Sequence, residues 1–214
     1  PEKFMRIATW NVNSVRQRID HLTAYLKEAE PDVCCLQELK CLDDAFPRLE
    51  IESLGYNVET LGQKTFNGVA ILSKHRIEEC QRGLPHQPGE PQSRYIEALI
   101  VPKGQKPVRV ASLYAPNGNP LGTEKFPYKL DFLDALIAHA KKLLESEERF
   151  MIAGDYNIIP QSADAEHPDL WVNDALYRPE SRAKWQELLA LGLTDALRAT
   201  SDAKKLYTFW DYQA

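Results

Sequence analysis

The chain has 214 residues, 43% of them hydrophobic and 27% charged, with a formal net charge of −5. That length can bury a substantial core, and the composition excludes low-complexity and disulfide-framework classes. No apolar run reaches membrane-spanning length, and the acidic balance argues against a generally basic coat, though not against a basic rim around an acidic centre.

Residues 1–4 read as a tail before a single domain over 5–214. The run Met5–Asn11 predicts a short buried strand. Ser14 then predicts a helix cap, with Val15, Ile19, Leu22 and Leu26 following at helical spacing. Pro31 interrupts that pattern, and Asp32–Leu36 predicts a second strand that ends just before Glu38. Asp43 and Asp44 precede a short helix with Pro47 near its first turn. Strands are expected at Tyr56–Thr60, Gly68–Ser73, Tyr95–Val101 and Val108–Tyr114, with a proline-rich loop over 83–93. The longest helix is expected over Lys125–Glu145, followed by a strand at Arg149–Ala153 and a long polar loop. A helix over Glu180–Leu191 and an aromatic strand at Tyr207–Tyr212 complete the chain. Strands in adjacent pairs, interrupted by helices and free of internal repeats, predict an α/β fold of two sheets packed face to face with helices outside.

The four cysteines form no Cys-x-x-Cys, and no histidine lies near enough in sequence to complete a zinc site. Cys34 and Cys35 sit side by side in an apolar run, as small buried hydrophobes do. With no charged-then-apolar leader, the expected setting is reducing and cytoplasmic.

The polar signals gather where apolar strands end. Asn11 and Asn13 follow the first strand, Glu38 the second, Tyr114 and Asn117 a later one, and Asp155 and Asn157 the strand at 149–153. Strand ends are where a layered fold collects groups from distant parts of the chain. Asp and Asn also make turns after strands, so any one alone carries little. Together, two carboxylates and several carboxamides make an oxygen-rich set that suits Mg²⁺, or Mn²⁺ as a substitute, rather than zinc. The phosphate-binding Gly-rich loop ending in Lys, the Gly-x-Ser-x-Gly elbow and His-Glu-x-x-His do not occur. His21, His75, His86, His139 and His167 have no acidic partner evident in sequence, and none is assigned a catalytic role.

Seven motifs in order carry a resemblance: IATWNVNSVR (7–16), DVCCLQELK (32–40), GVAILSK (68–74), SLYAPNG (112–118), KFPYKLDFLDAL (125–136), AGDYNIIP (153–160) and GLTDALR…YTFWDY (192–212). The chain resembles the exonuclease III family of abasic-site endonucleases, within the endonuclease/exonuclease/phosphatase superfamily, from Met5 onward. The resemblance implies a four-layered sandwich of two packed mixed β-sheets flanked by helices, and hydrolysis of a phosphodiester beside an abasic deoxyribose. It implies that Glu38 is the principal metal ligand, that Asn11 helps hold the metal or the phosphate, and that Asp155 positions or deprotonates the attacking water. Asn157 would donate to the phosphate, Tyr114 would place its phenol against the scissile phosphate or the leaving group, and Asn117 would support it. Asn13 aligns with a neighbour of the metal site. Arg94, Lys125, Arg178 and Arg182 would contact DNA, with the segment 171–184 reading as a DNA-contacting insertion. Phe209 would line a pocket for the extruded baseless sugar, which leaves a duplex cheaply because no base is stacked. An aromatic pair in a strand points to opposite faces, so one of Phe209 and Trp210 is also expected in the core.

The implied partner is double-stranded DNA with abasic sites or damaged 3′ ends, bound by a monomer with no membrane involvement. Family members continue past the aromatic strand to a Ser-Asp-His motif, whereas this chain ends at Ala214, and Ser201-Asp202 is followed by Ala203. The implied reading is a fold lacking its C-terminal strands, inactive by itself. Two rival functions remain open at this level. One is a small-molecule or lipid phosphoesterase of the same superfamily, and the other is a catalytically silent DNA-binding module.

Overall fold

The computed structural model describes residues 4–87, 89–210 and 212. The chain packs as two compact units, Pro1–Ala115 with Lys142–Tyr156, and Pro116–Lys141 with Asn157–Ala214.

The first unit holds two mixed four-stranded sheets. One has the strand order β1 (Ile7–Asn11), β2 (Val33–Gln37), β4 (Val69–Ser73), β3 (Asn57–Leu61). The other runs β5 (Arg76–Arg82), β6 (Tyr95–Val101), β7 (Val108–Tyr114), β8 (Phe150–Asp155). Each sheet contains one parallel pair, β1 with β2 and β7 with β8, and the other pairings are antiparallel. A parallel pair needs a long crossover. Helix α1 (Ile19–Ala29) lies in the β1–β2 connection, and helix α3 (Lys125–Glu145) in the β7–β8 connection.

The alternation of side chains along β2 divides the core. Cys34 and Leu36 face outward, where Leu22 and Leu26 of α1 and Ile51 of the short helix α2 (Arg48–Glu52) cover them. Val33 and Cys35 face inward with Val69 and Ile71, against Ile96, Ala98, Ile100 and Val110 of the second sheet. Both adjacent cysteines are buried and free, and burial pushes the Cys34 thiol up to about 12. This is the two-sheet α/β packing expected from the sequence. Among the described residues no helix is long and apolar enough to cross a membrane.

Three expectations need correction. Ser14 caps no helix: α1 begins at Ile19, and Ser14 adopts a left-handed φ of 85°. Its amide donates instead to the Glu38 carbonyl (2.8 Å), between Val12 to Gln37 (3.0 Å) and Val15 to Leu39 (3.2 Å). Tertiary hydrogen bonds to the segment after β2 have displaced the local cap. The strand β5 was not expected, because its sequence RIEECQR is charged and a bulge between Ile77 and Glu79 breaks its alternation. Charge and bulges are how sheet edges are protected from further pairing, and β5 is an edge strand. Finally, residues 206–210 pair with no strand, and Phe209 and Trp210 are 72% and 73% exposed, so neither is in the core. Aromatic enrichment marks a surface that suits a sheet, but a strand forms only where a neighbour supplies the ladder. Asp211 lies outside the described residues.

At the start of β7, Arg109 ties four segments together. It pairs with Glu79 of β5 (3.0 Å), Glu97 of β6 (3.3 Å) and Glu148 just before β8 (2.6 Å). The hydrogen bond from Arg109 holds the Glu148 carboxyl below the usual carboxylate range. A carboxylate whose folded pKa is depressed adds stability above its unfolded pKa and loses it as pH falls through the folded value. The melting-temperature gap between wild type and Glu148→Gln should therefore be widest near neutrality and close between about pH 5 and pH 3. The effect is modest because Glu148 is exposed. Thermal melts across that range check it, and a gap independent of pH would overturn the assignment.

Candidate active site

The carboxyl ends of the two parallel pairs lie side by side in the first unit. Asn11 closes β1 opposite Gln37 in register, and Tyr114 closes β7 opposite Asp155 at the end of β8. The Asn11 amide Nδ2 donates to Glu38 Oε1 (2.8 Å) and to Asp155 Oδ2 (2.9 Å), so one carboxamide bridges two carboxylates drawn from different sheets. Its own carbonyl is aimed by the Asn13 amide, which donates to Asn11 Oδ1 (3.1 Å). The Lys40 ammonium lies 3.1 Å from the other Glu38 oxygen and also donates to Asn13 Oδ1. Two like charges brought this close repel each other, and the Asn11 amide and the Lys40 cation offset that.

Tyr114 hydrogen-bonds Glu38. Burial pushes its phenol up, the charges of Glu38 and Asp155 push the same way, and Arg94 opposes them. The Arg94 guanidinium stacks 4.9 Å from the Tyr114 ring centroid, and its Nη1 donates to the Tyr114 carbonyl (3.2 Å). Arg94, expected to contact DNA, is thus also a support for Tyr114.

Backbone strain concentrates here. Asn13, Ser14, Glu38 and Lys40 all have positive φ, at 42°, 85°, 55° and 54°. Non-glycine residues hold that conformation only where surrounding structure enforces it. The enforcement is visible: Leu39 and Lys40 amides donate to the carbonyls of Gly68 (3.1 Å) and Asn67 (2.9 Å), while the Glu38 and Leu39 carbonyls accept from 14 and 15.

The donors are carboxylate and carboxamide oxygens, without thiolate or imidazole. Among the described residues no group of three or more His, Cys, Asp or Glu side chains gathers as a ligand set. Two carboxylates and a carboxamide still fit Mg²⁺, which keeps much of its water shell and is commonly held by one or two carboxylates. Glu38, Asp155 and the Asn11 carbonyl are the groups that could hold it.

The second unit carries the other asparagines. Lys129 is fully buried, and its Nζ donates to the main-chain carbonyls of Asn117 (3.1 Å), Ala175 (3.5 Å) and Asn157. Asn119 joins two of these segments, accepting from the Ala175 amide (3.0 Å) and donating to Asp174 (3.1 Å). The Asn117 side chain accepts from the Asn119 amide (3.1 Å), which shapes its own turn. Of the expected DNA contacts in this unit, Lys125 opens α3 and is exposed, while Arg178 precedes helix α4 (Pro179–Ala190) and pairs with Glu180 (3.5 Å). Arg182 stacks on Tyr177 at 4.5 Å.

Lys40 and Lys129 lie within the sequence motifs, which predict no role for either. Lys129 had a readable signal: it sits on the same helical stripe as Phe132, Leu133 and Leu136, so a cation occupies the buried face. A lysine there must find acceptors, and these are the carbonyls of the two asparagine-bearing loops.

Residues 8–212 match the endonuclease/exonuclease/phosphatase family. Exodeoxyribonuclease III of Haemophilus influenzae is 33% identical over 218 aligned residues, spanning 98% of this chain and 81% of that protein. A 3′ phosphatase from Neisseria, solved bound to a product DNA hairpin, superposes with a TM-score of 0.91 at 36% identity over 98% of this chain and 80% of that one. An AP endonuclease from Archaeoglobus fulgidus gives 0.90 at 33% identity, over 99% and 80%. The two-sheet frame agrees with these matches: the chain belongs to the endonuclease/exonuclease/phosphatase family, in its exonuclease III branch.

Proposed function

We propose that the protein is a Mg²⁺-dependent DNA phosphodiesterase of base-excision repair that cleaves beside abasic sites and trims damaged 3′ ends. The observation that carries this reading is the Asn11 carboxamide bridging Glu38 and Asp155, with the Tyr114 phenol on Glu38. The names of its relatives, an exodeoxyribonuclease, a 3′ phosphatase with DNA and an AP endonuclease, support DNA as the substrate. Free buried cysteines suit a reducing cytoplasm, and the charged edge of β5 suits a monomer.

Hydrolysis needs an oriented water, charge stabilisation on the phosphate and a way for the leaving oxygen to depart. Glu38 and Asn11 would hold a hard divalent cation, Mg²⁺ or Mn²⁺ as a substitute, which would supply Lewis acidity when bound. Asp155 orients the attacking water and takes its proton as general base. Tyr114 stays protonated at neutral pH, so its O–H is available to donate to the phosphate or to the leaving oxygen, stabilising the alkoxide until solvent protonates it. Asn157 serves as a carboxamide donor to phosphate, supported by Asn117, and Lys125, Arg178 and Arg182 engage the DNA backbone. Phe209 and Trp210, exposed aromatics, are available to meet an extruded sugar.

The test compares the full-length protein with Glu38→Gln. Wild type should bind Mn²⁺, read as loss of the free-ion paramagnetic resonance signal, and should cleave an abasic duplex only with Mg²⁺ or Mn²⁺. Glu38→Gln should weaken Mn²⁺ binding at least about tenfold and abolish detectable cleavage. Cleavage undiminished by a chelator would sink the reading. Hydrolysis of inositol or lipid phosphoesters with no action on DNA would hand it to the small-molecule alternative.

A further inference from the structure

We propose that Gln37 is a positioning residue that sets how far apart the two halves of the site stand, through a polar lock between the sheets whose Gln37 and Ser112 are buried and whose Thr9 lies at the exposed edge strand β1. This rests on the functional reading above. Most of the interface between the sheets is apolar, built from Val33, Cys35, Val69 and Ile71 against Ile96, Ala98 and Val110, with a long thiol contact from Cys35 Sγ to the Ala111 carbonyl (3.8 Å) and a bond from Arg82 Nε to the Thr60 carbonyl (2.9 Å) between β5 and β3. Apolar contact is non-directional, so by itself it fixes the offset of one sheet on the other only loosely. At the end of the sandwich nearest the site the chemistry changes. Gln37, 1% exposed, donates from Nε2 to Ser112 Oγ across the interface (3.1 Å) and to Thr9 Oγ1 on the neighbouring strand (3.1 Å). The Ser112 hydroxyl, also fully buried, returns the link by donating to the Leu36 carbonyl (2.9 Å).

Each member of this lock lies directly beneath a site residue. Gln37 is followed by Glu38, Thr9 precedes Asn11 by two in β1, and Ser112 precedes Tyr114 by two in β7. A spacing of two returns the side chain to the same face of a strand. The lock therefore joins the three strands whose next residues must converge, and it does so across the gap that separates Glu38 from Tyr114 and Asp155. A buried amide is costly unless satisfied, and a methionine would fill similar space without that demand. A fully satisfied polar group in a core gives directional specificity, which is what a site shared between two sheets requires.

Gln37→Met should lower kcat on an abasic duplex by about 10–100-fold, because catalytic geometry tolerates little displacement. KM should change by less than about threefold, because no DNA-contacting group is touched. Mn²⁺ affinity, read without turnover, should fall about tenfold, as it does when the support of a metal ligand is lost. Ser112→Ala should act in the same direction and also lower the melting temperature, since it removes the acceptor of the Gln37 amide across the interface and leaves only Thr9 on the neighbouring strand. The double variant Gln37→Met/Ser112→Ala leaves no amide short of an acceptor, so its melting temperature should recover towards wild type while Mn²⁺ affinity and kcat stay low. Recovery of all three together would overturn the proposal and reduce the lock to a stability element. Unchanged Mn²⁺ affinity and kcat in Gln37→Met would overturn it directly. If wild type binds no Mn²⁺ that Glu38→Gln removes, the functional reading itself has failed, and this inference falls with it.

Discussion

Asp155→Asn should slow cleavage of an abasic duplex by about 10²–10⁴-fold, the range a positioned general base contributes, while DNA binding is preserved. The substitution keeps size and shape, and the carbonyl oxygen that remains can still accept the hydrogen bond from Asn11. What is lost is the basicity needed to take a proton from water and one negative charge beside the phosphate. Loss of that charge lessens repulsion of the substrate, so affinity should be unchanged or tighter. Single-turnover cleavage and fluorescence anisotropy, run on the same full-length protein, separate the two effects. Turnover within about threefold of wild type would remove Asp155 from the chemistry, and a parallel loss of binding would show that the substitution had disturbed the site as a whole.

Gly154→Ala should have the largest effect on stability of any single methyl added to the first unit. Gly154 lies in β8 opposite Leu113 of β7, with φ of 146°. A Cβ built there would stand 2.0 Å from the Leu113 carbonyl oxygen and 2.8 Å from its carbonyl carbon and its amide nitrogen. These are main-chain atoms in the middle of a sheet, so no side-chain rotation relieves the clash. Either β7 and β8 separate or the backbone leaves a conformation that only glycine adopts readily. The expected loss is at least about 3 kcal/mol, which lowers the melting temperature of a domain this size by about 10 °C. Because Asp155 follows directly, any surviving folded protein should also have a displaced Asp155. Differential scanning calorimetry checks the first effect, and a drop of less than about 3 °C would show that the sheet absorbs the methyl.

The parts of this molecule that were legible in sequence are those in which local pattern and tertiary role agree. β2 and β4 are buried throughout and apolar up to their last residues, Gln37 and Ser73, because both faces are covered, and α3 shows its buried stripe from Lys129 to Leu143. The site residues could be read because each sits where an apolar run stops. The illegible parts are those where another demand overrides the pattern. Ser14 looks like a cap, yet its amide is needed to hold the strained Glu38. β5 must deter further pairing, so its residues are charged and its alternation is broken. The run at 206–210 has the composition of a strand but no neighbour to pair with among the described residues. The bond from Asn11 to Asp155 joins two sheets, and no spacing along the chain announces it.

That bond spans 144 residues of sequence. Local helices and hairpins form in microseconds, whereas contacts between distant segments wait for the chain between them to be ordered. A chain growing from the ribosome at about 5–20 residues per second makes β1 and β2 many seconds before β8 exists to complete the pair. Until then Glu38 has no Asp155 beside it and the Asn11 amide has only one of its two carboxylate acceptors, so this corner of the frame is closed by one of the last strands to be made.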